Sequence, residues 1–534
     1  VKDWDGHALT LSLLASYLKD HYDGDIRKVQ NIPPPTADEP RYDRVHRVLR
    51  QYDEHLDETA KAFLKLFSAF RKPVEKDAFE LVFRAKPGQQ PGLWNQLIGK
   101  RSKALNTPIA TLNDFEFQAI LNKLLDYRIL RYEQESGQYT AHPLIRTHYF
   151  ALLIEGDGSL AEMVHRQIKD YYLSKAQNMP DPTLEELMPL IETVHHATQC
   201  GAYDDAIGIF RERIDQFDKW YFTNILGAWD TDLEIMKDFF SRRDTSRNPS
   251  VSKSRHNSWI LNEVGLCLTA TAMGNLADSF FERSLAIHLE SGDWASANAN
   301  YNNLSDLYLS RGELAKGLQA ADEALKVAQL SEETYLECYS LAYQAWAYHL
   351  QGDLEKASLA FQEAETLEKK RGSSILGLCS LRGIQYADHL RCRGEADHAR
   401  RITKANLDIC ELNHWRDDIS RCHRVQGDLF ADAGQEKEAL KSYRQSLDIA
   451  RSISNKKVLI EALSSQGRWY ARSMRNFEAA LSVLTEALEY ARAGGYRLHE
   501  ADIRIALALA HLAVGNDNRA RDQAEYALQI SQDM

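Results

Sequence analysis

The chain has 534 residues and a formal net charge of −12, with 44% hydrophobic, 10% aromatic and 27% charged residues. That length implies several domains, and the acidic balance argues against a dedicated nucleic-acid binder, which needs a basic stripe to displace counterions. No apolar run approaches the roughly 18 residues a membrane helix requires. No signal or transit peptide opens the sequence. It starts at Val1 rather than Met, so a fragment of a longer protein is expected. The seven cysteines are scattered and never spaced C-x-x-C. A disulfide scaffold, a structural zinc site or any other metal site is therefore not expected, and a cytoplasmic location fits best.

In chain order, "GHALTLSLLASYL" (6–18) places Leu11, Leu14 and Leu18 on one helical face. "IPPPTADEP" (32–40) is an extended break. "TAKAFLKLFSAF" carries Phe63, Leu66, Phe67 and Phe70 as a buried stripe, "KPVEKDAFELVF" begins a second helix, and "PGQQPG" breaks the chain again. "LNDFEFQAILNKLLDYRIL" starts at a cap, Asn113 or Asp114, and buries Phe117, Ile120, Leu121, Leu124 and Leu125. "LRYEQESGQYTAH" then alternates through Leu130 and Tyr132, turns at Ser136-Gly137 and returns through Tyr139 and Ala141, which reads as a hairpin. Helices followed by a hairpin predict a winged-helix domain over 45–150. Its last helix sets Lys123 and Arg128 against Asp114, Glu116 and Asp126, a balance unsuited to a phosphate-lined groove.

Residues 151–257 read as an irregular helical bridge with degenerate repeats, ending in a polar, basic loop over 241–258. From 258 to 534 the sequence repeats about every 40 residues, seven times. Small residues stand at Gly265, Ser305, Ala345, Ala387, Gly427, Gly467 and Ala508. A second small set follows at Ala277, Gly317, Ala357, Ala399, Ala439, Ala479 and Ala520. Between them lies a turn position occupied by Gly312, Gly352, Gly394, Gly434 and Gly515, with Ala272 and Met474 as exceptions. Two antiparallel helices approach closely only where side chains are small, and glycine supplies the positive φ between them. These units resemble tetratricopeptide repeats of the longer variety. The fold class expected is mainly α: a small winged-helix domain with a β-hairpin, then an α-α superhelix of tetratricopeptide repeats.

The order of helical segment, winged helix and repeat superhelix resembles the back half of signal-transducing ATPases of the STAND class (NLR-like, with NB-ARC or NACHT domains). "GHALTL" is similar to that class's Gly-x-Pro motif, with Ala8 in place of Pro, and residues 1–31 then end a helical domain adjoining a nucleotide-binding domain. "TAHPLIRTHYF" is similar to its Met-His-Asp motif, with Ala141 and Pro143 around the histidine. The resemblance implies that His142 reaches a phosphate of ADP in the resting state and that Gly6, His7 and Ala8 lie on the adenine side. No G-x-x-x-x-G-K-[ST] is present, and "PGLWNQLIGKRSK" has the wrong glycine spacing. This chain alone is therefore expected to be no enzyme and to bind no cofactor. ADP or ATP with Mg is implied for a full-length protein whose N-terminal nucleotide-binding and effector domains lie elsewhere.

No serine, cysteine or carboxylate stands at a telling spacing from His142, so no catalytic residue is assigned, and a helix-closing structural role for it remains open. The adjacent His195 and His196 read as packing or surface residues, as do Cys422 and His423. In tetratricopeptide arrays the first helix of each unit lines the concave face. The candidate ligand-binding residues there are Asn302, Asp306, Tyr339, Trp346, Asp388, Arg421, Arg424, Asp428 and Arg468, with Trp259, Asn262 and Glu461 at like positions. Packing between repeats is the alternative for Tyr339 and Trp346.

The resemblance implies a sensor whose superhelix recognises a protein ligand and whose winged helix latches the resting state. Homo-oligomerisation on activation and bacterial antiviral innate immunity follow from it. A repeat adaptor without nucleotide control and a maltose-activator-like transcription regulator are the alternatives. Membrane and nucleic acid are not expected partners.

Overall fold

A computed structural model describes residues 8–22, 48–50, 52–84, 105–156, 158–370 and 377–534. The breaks at 32–40 and 87–92, and Gly6 and His7, lie outside the described residues. The chain divides into two compact units, Val1–Pro180 with Glu186–Ala206, and Asp181–Glu185 with Ile207–Met534.

In the first unit, the helix Glu58–Phe67 begins where the Asp57 carboxylate accepts the Ala60 N–H at 2.7 Å. Its apolar stripe feeds an aromatic core. Phe63 meets Phe79, Phe83 and Phe117 edge to face at 5.2, 5.8 and 5.9 Å between centroids. The helix Asp114–Asp126 starts in a capping box: Asn113 Oδ1 accepts from the Glu116 N–H and Glu116 Oε2 from the Asn113 N–H, both at 2.9 Å. That reciprocal pair satisfies two donors a helix start otherwise leaves open.

The hairpin joins β2 (Arg131–Glu133) to β3 (Gln138–Thr140) through Gly137 at φ +68°, with Tyr132 opposite Tyr139. A third strand, β1 (Val74–Glu75), pairs antiparallel with β3, giving the order β1-β3-β2. The stretch "KPVEKDAFELVF" does begin a helix, but it opens with this short strand, which the sequence reading lacks. The helix starts only at Lys76, because Val74 buries its side chain while its backbone takes the open edge of β3. Three helices follow, Pro143–Gly156, Gly158–Lys175 and Met188–Gln199, and a fourth, Tyr203–Ile209, spans the boundary at Ala206.

In the second unit, the helix Trp229–Lys237 precedes seven antiparallel helix pairs. Their first (A) helices are Ser254–Ala270, Trp294–Ser310, Thr334–Leu350, Ser380–Cys392, Arg416–Asp432, Lys456–Arg472 and Arg497–Ala513. Their second (B) helices are Asp278–Ser291, Leu314–Ser331, Leu354–Lys370, Ala396–Leu412, Glu436–Ser452, Phe477–Gly494 and Asp517–Gln532. The first A helix begins inside the stretch expected to be loop. The recurring small residues sit where the paired helices touch: a Cβ on Gly427 would lie 2.7 Å from the Tyr443 ring. The turn glycines Gly312, Gly352, Gly394, Gly434 and Gly515 adopt φ between +69° and +82°. Ala272 takes the same left-handed conformation at φ +60°, and in the sixth pair Arg475, one residue past Met474, takes it at φ +49°.

The coil of repeats turns back on itself. The turn of the first pair joins the apolar core of the sixth and seventh, where Ala272 belongs to the same cluster as Tyr496 and Ile503. The Tyr496 hydroxyl donates to the Thr269 carbonyl. A Cβ on Gly274 would lie 2.8 Å from the Tyr496 ring, so this approach needs glycine. The segment before Trp229 is tied in as well: the Gly227 carbonyl accepts the Ser454 N–H at 2.9 Å. No helix among the described residues is long and apolar enough to cross a membrane.

Candidate functional site

The coil holds a partly open cavity of about 260 Å³ lined by A helices of six pairs, the second to the seventh. Six of the nine candidate residues line it: Asp306, Trp346, Asp388, Arg421, Arg424 and Arg468. They come from the second to the sixth pair. The inward positions of the A helices therefore converge on one space rather than spreading along an open groove.

The wall is an ordered lattice of charges. Arg421 donates from Nε to Glu461 Oε2 at 2.8 Å and from Nη1 to Asp418 at 3.4 Å. Arg424 bridges Asp388 (2.6 Å) and Asp428 (3.2 Å), and the Tyr443 hydroxyl donates to Asp428 at 2.7 Å. Burial raises the Glu461 carboxyl, but Arg421 and Arg424 more than offset it and hold it down at about 2. The same opposition of burial and Arg424 leaves Asp388 below the usual carboxylate range. Both guanidiniums are held more firmly protonated by their carboxylate neighbours, against the effect of burial. These groups stay charged against burial because each has an oppositely charged neighbour.

Two cavity residues differ. Trp346 is half-buried and stacks on the His349 ring at 4.8 Å and 15°. Arg468 holds Asp502 only at 3.7 Å, and the two side chains are 31% and 53% exposed. An indole face and a loosely paired cation are the groups on this wall best able to change partners.

Three candidates do not line the cavity. Asn302 is buried and donates to Asn298 Oδ1 at 3.0 Å within its own helix. Tyr339 lies under the Arg382 guanidinium of the next pair, 3.6 Å from the ring centroid, so it packs between repeats. Asp428 stands behind Arg424 as its second carboxylate. Of the residues at like positions, Glu461 lines the cavity, Trp259 carries the Arg211 guanidinium at 5.3 Å, and Asn262 accepts from Asn303 at 2.9 Å.

Sequence reasoning missed His349, Arg391, Lys457 and His499, which also line the cavity. His349 and His499 are pushed below the ordinary histidine value by burial. Lys457 opens the sixth A helix and reaches Asp306 of the second pair at 2.6 Å. No local pattern marks it, because its partner arrives only when the coil closes.

In the first unit, His142 is half-buried, and its Nδ1 accepts the Leu144 N–H at 3.2 Å. Its carbonyl accepts from Ile145 and Arg146 at 2.9 and 3.1 Å. His142 thus caps the helix Pro143–Gly156, with Nδ1 as an acceptor. Nothing is placed against Gly6 or His7, which lie outside the described residues, as does the side chain of Ala8. His195 is adjacent to a buried pair in which His165 Nδ1 and His196 Nδ1 share a hydrogen bond of 2.8 Å. Elsewhere, Asp232, Glu263 and Cys267 bring two carboxyls and a thiol together in the interior.

No known family model matches the chain, and no curated protein matches it. Among solved structures it is similar to a STAND protein with a tetratricopeptide repeat sensor from Pyrococcus horikoshii, at 13% identity and TM-score 0.38 over 99% of this chain and 68% of that one. It is also similar to the Rap conjugation gene regulator of plasmid pLS20 in complex with the Phr* peptide, at 11% identity and TM-score 0.44 over 64% and 94%. The Cut9–Hcn1 assembly of the APC/C aligns at 11% identity and TM-score 0.33 over 79% and 90%. These likenesses concern the helical-repeat fold alone.

Proposed function

We propose that this chain is the ligand-sensing and regulatory part of a STAND-class signalling ATPase, with a protein ligand placing one segment in the cavity of the repeat coil. The observation that carries this is the convergence of Asp306, Trp346, Asp388, Arg421, Arg424 and Arg468 on one cavity. At about 260 Å³ the cavity is just under the roughly 300–1,000 Å³ typical of small-molecule sites. That size suits an anchoring side chain or a chain end, not a folded domain. Trp346 offers a flat apolar contact, and Arg468 can exchange Asp502 for a ligand carboxylate.

Signalling follows as a population shift. Lys457 and Asp306 both line the cavity and tie the sixth pair to the second. A ligand that takes either ion as its own partner competes with closure and favours an open coil, provided it binds that state better.

In this reading the first unit is a winged helix, and His142 holds the ADP-bound resting state. Its Nδ1 accepts the Leu144 N–H, so in the neutral ring Nε2 is the nitrogen that would donate to a phosphate oxygen. The nucleotide and effector domains belong to the full-length protein, which oligomerises on activation in bacterial antiviral defence. A repeat adaptor without nucleotide control would use the same cavity, with His142 as a helix cap and no more.

Two measurements separate these readings. The full-length protein should retain ADP, and His142→Ala should speed its release; a full-length sequence without a P-loop, or unchanged release, sinks the latch and leaves the adaptor. Ligand capture should fall in Trp346→Ala and Arg468→Ala, and undiminished capture by both sinks the cavity. This chain alone should bind ADP negligibly.

A further inference from the structure

Asp232 lies on the helix Trp229–Lys237, and Glu263 and Cys267 lie one turn apart on the first A helix. Spacing of i, i+4 puts Glu263 and Cys267 on one helix face. That face meets Asp232, so one donor atom from each residue lies within 4.8 Å of the others. All three are buried, at 1%, 3% and 0% exposure.

Two features set this cluster apart from an ordinary acidic patch. Neither carboxylate forms an ion pair among the described residues, whereas Glu461, Asp388 and Asp306 of the cavity wall each hold an arginine or lysine. And Asp232 Oδ1 is buried with no hydrogen-bond partner, although the carboxyl itself hydrogen-bonds Glu263 and Cys267 within the cluster. Two carboxylates and a thiolate cannot be charged together in an apolar interior without a cation. In its absence they must hold protons.

We propose that Asp232, Glu263 and Cys267 form a buried site for a divalent transition-metal ion, with Zn²⁺ the best match. Thiolate selects a softer ion than Mg²⁺ or Ca²⁺, and two carboxylate oxygens beside one sulfur suit zinc. Zinc bonds of about 2.0–2.3 Å place tetrahedral ligands roughly 3.3–3.8 Å apart, so the present spacing needs a modest contraction. Three protein ligands leave a fourth position for water. Binding releases the protons the three groups otherwise carry, so it strengthens as pH rises. The ion would staple the helix Trp229–Lys237 to the first repeat, independently of the cavity and of any ligand it takes.

The test uses this chain after chelator treatment, titrated with Co²⁺ and then Zn²⁺. Expected are stoichiometric binding, a thiolate-to-cobalt charge-transfer band lost on adding Zn²⁺, and a higher Tm on loading. Cys267→Ser should abolish the band, and the isosteric Asp232→Asn should weaken Zn²⁺ roughly tenfold or more. Wild-type protein that shows no band and no Tm change under saturating Zn²⁺ overturns the proposal, whatever the variants do. A band that persists in Cys267→Ser assigns the metal to another of the seven cysteines and overturns it equally.

Discussion

Lys457 Nζ and Asp306 Oδ2 lie 2.6 Å apart across 151 residues of sequence, and the lysine side chain is only 9% exposed. The pair closes the repeat coil from the sixth A helix to the second. Asp306 is 22% exposed, so the full penalty of a buried ion pair is discounted. Lys457→Met and Asp306→Asn should each destabilise the chain, and their double-mutant cycle should give a coupling of about 1–2 kcal/mol in urea unfolding. Additive losses would mean that the two ions do not hold the closure together.

Arg424 and Arg468 should behave in opposite ways. Removing Arg424 leaves Asp388 and Asp428 only the more distant Arg391, 3.8 Å from Asp388, which costs up to about 3–5 kcal/mol. Removing Arg468 breaks a long, exposed contact and should cost under about 1 kcal/mol. Thermal melts of Arg424→Ala and Arg468→Ala decide this, and similar losses in both would contradict the assignment of Arg468 as the exchangeable ion.

Much of this architecture was legible because it is local. Asn113 is a cap by residue type, Phe63 and Phe67 lie on one stripe by spacing, and Gly312 to Gly515 mark turns by period. The inward positions of the A helices were legible too, since a helix pair presents the same face in every repeat. The rest depends on chain segments far apart. Lys457 and Asp306, Tyr496 and Thr269, and Asp232 with Glu263 meet only after the coil has closed or the preceding helix has docked. Val74 is an exception of a different kind: a two-residue strand has no period to read, and only the edge of β3 defines it.

The first unit should lose stability as pH falls from neutral. His165 and His196 share one hydrogen bond in the interior, beside His195, the Tyr172 ring and the Arg71–Glu192 ion pair. Burial, then the positive neighbours, pushes His165 down to about 3 and His196 well below the ordinary value. A base depressed on folding binds more protons unfolded, so its contribution is complete above about pH 6.5 and drains away toward the folded value. Each histidine can steepen the fall by up to about 1.4 kcal/mol per pH unit. Hydrogen exchange over residues 160–200, corrected for intrinsic rate, should show protection falling between pH 7 and 5.5. The double variant His165→Phe/His196→Phe should flatten that dependence; an unchanged slope would place the titrating groups elsewhere.

Gly427 and Gly434 are both glycine in one repeat, for reasons that can be told apart. Gly434 has φ +69° with open space around it, so Gly434→Ala should cost about 1 kcal/mol through backbone conformation alone. Gly427 has an ordinary helical backbone, but an added Cβ would lie 2.7 Å from Tyr443 Cδ1 and Cε1. Tyr443 cannot retreat easily, because its ring is buried against Trp469 and its hydroxyl is bound by Asp428. Gly427→Ala should therefore cost about 1–3 kcal/mol by overpacking. Tyr443→Leu removes the obstacle and also a hydrogen bond, so it is destabilising by itself. Combined with Gly427→Ala, it should cost clearly less than the two losses added, whereas combined with Gly434→Ala the losses should simply add. Additivity in both combinations would show that helix contact does not dictate the small residue at the start of the repeat pattern.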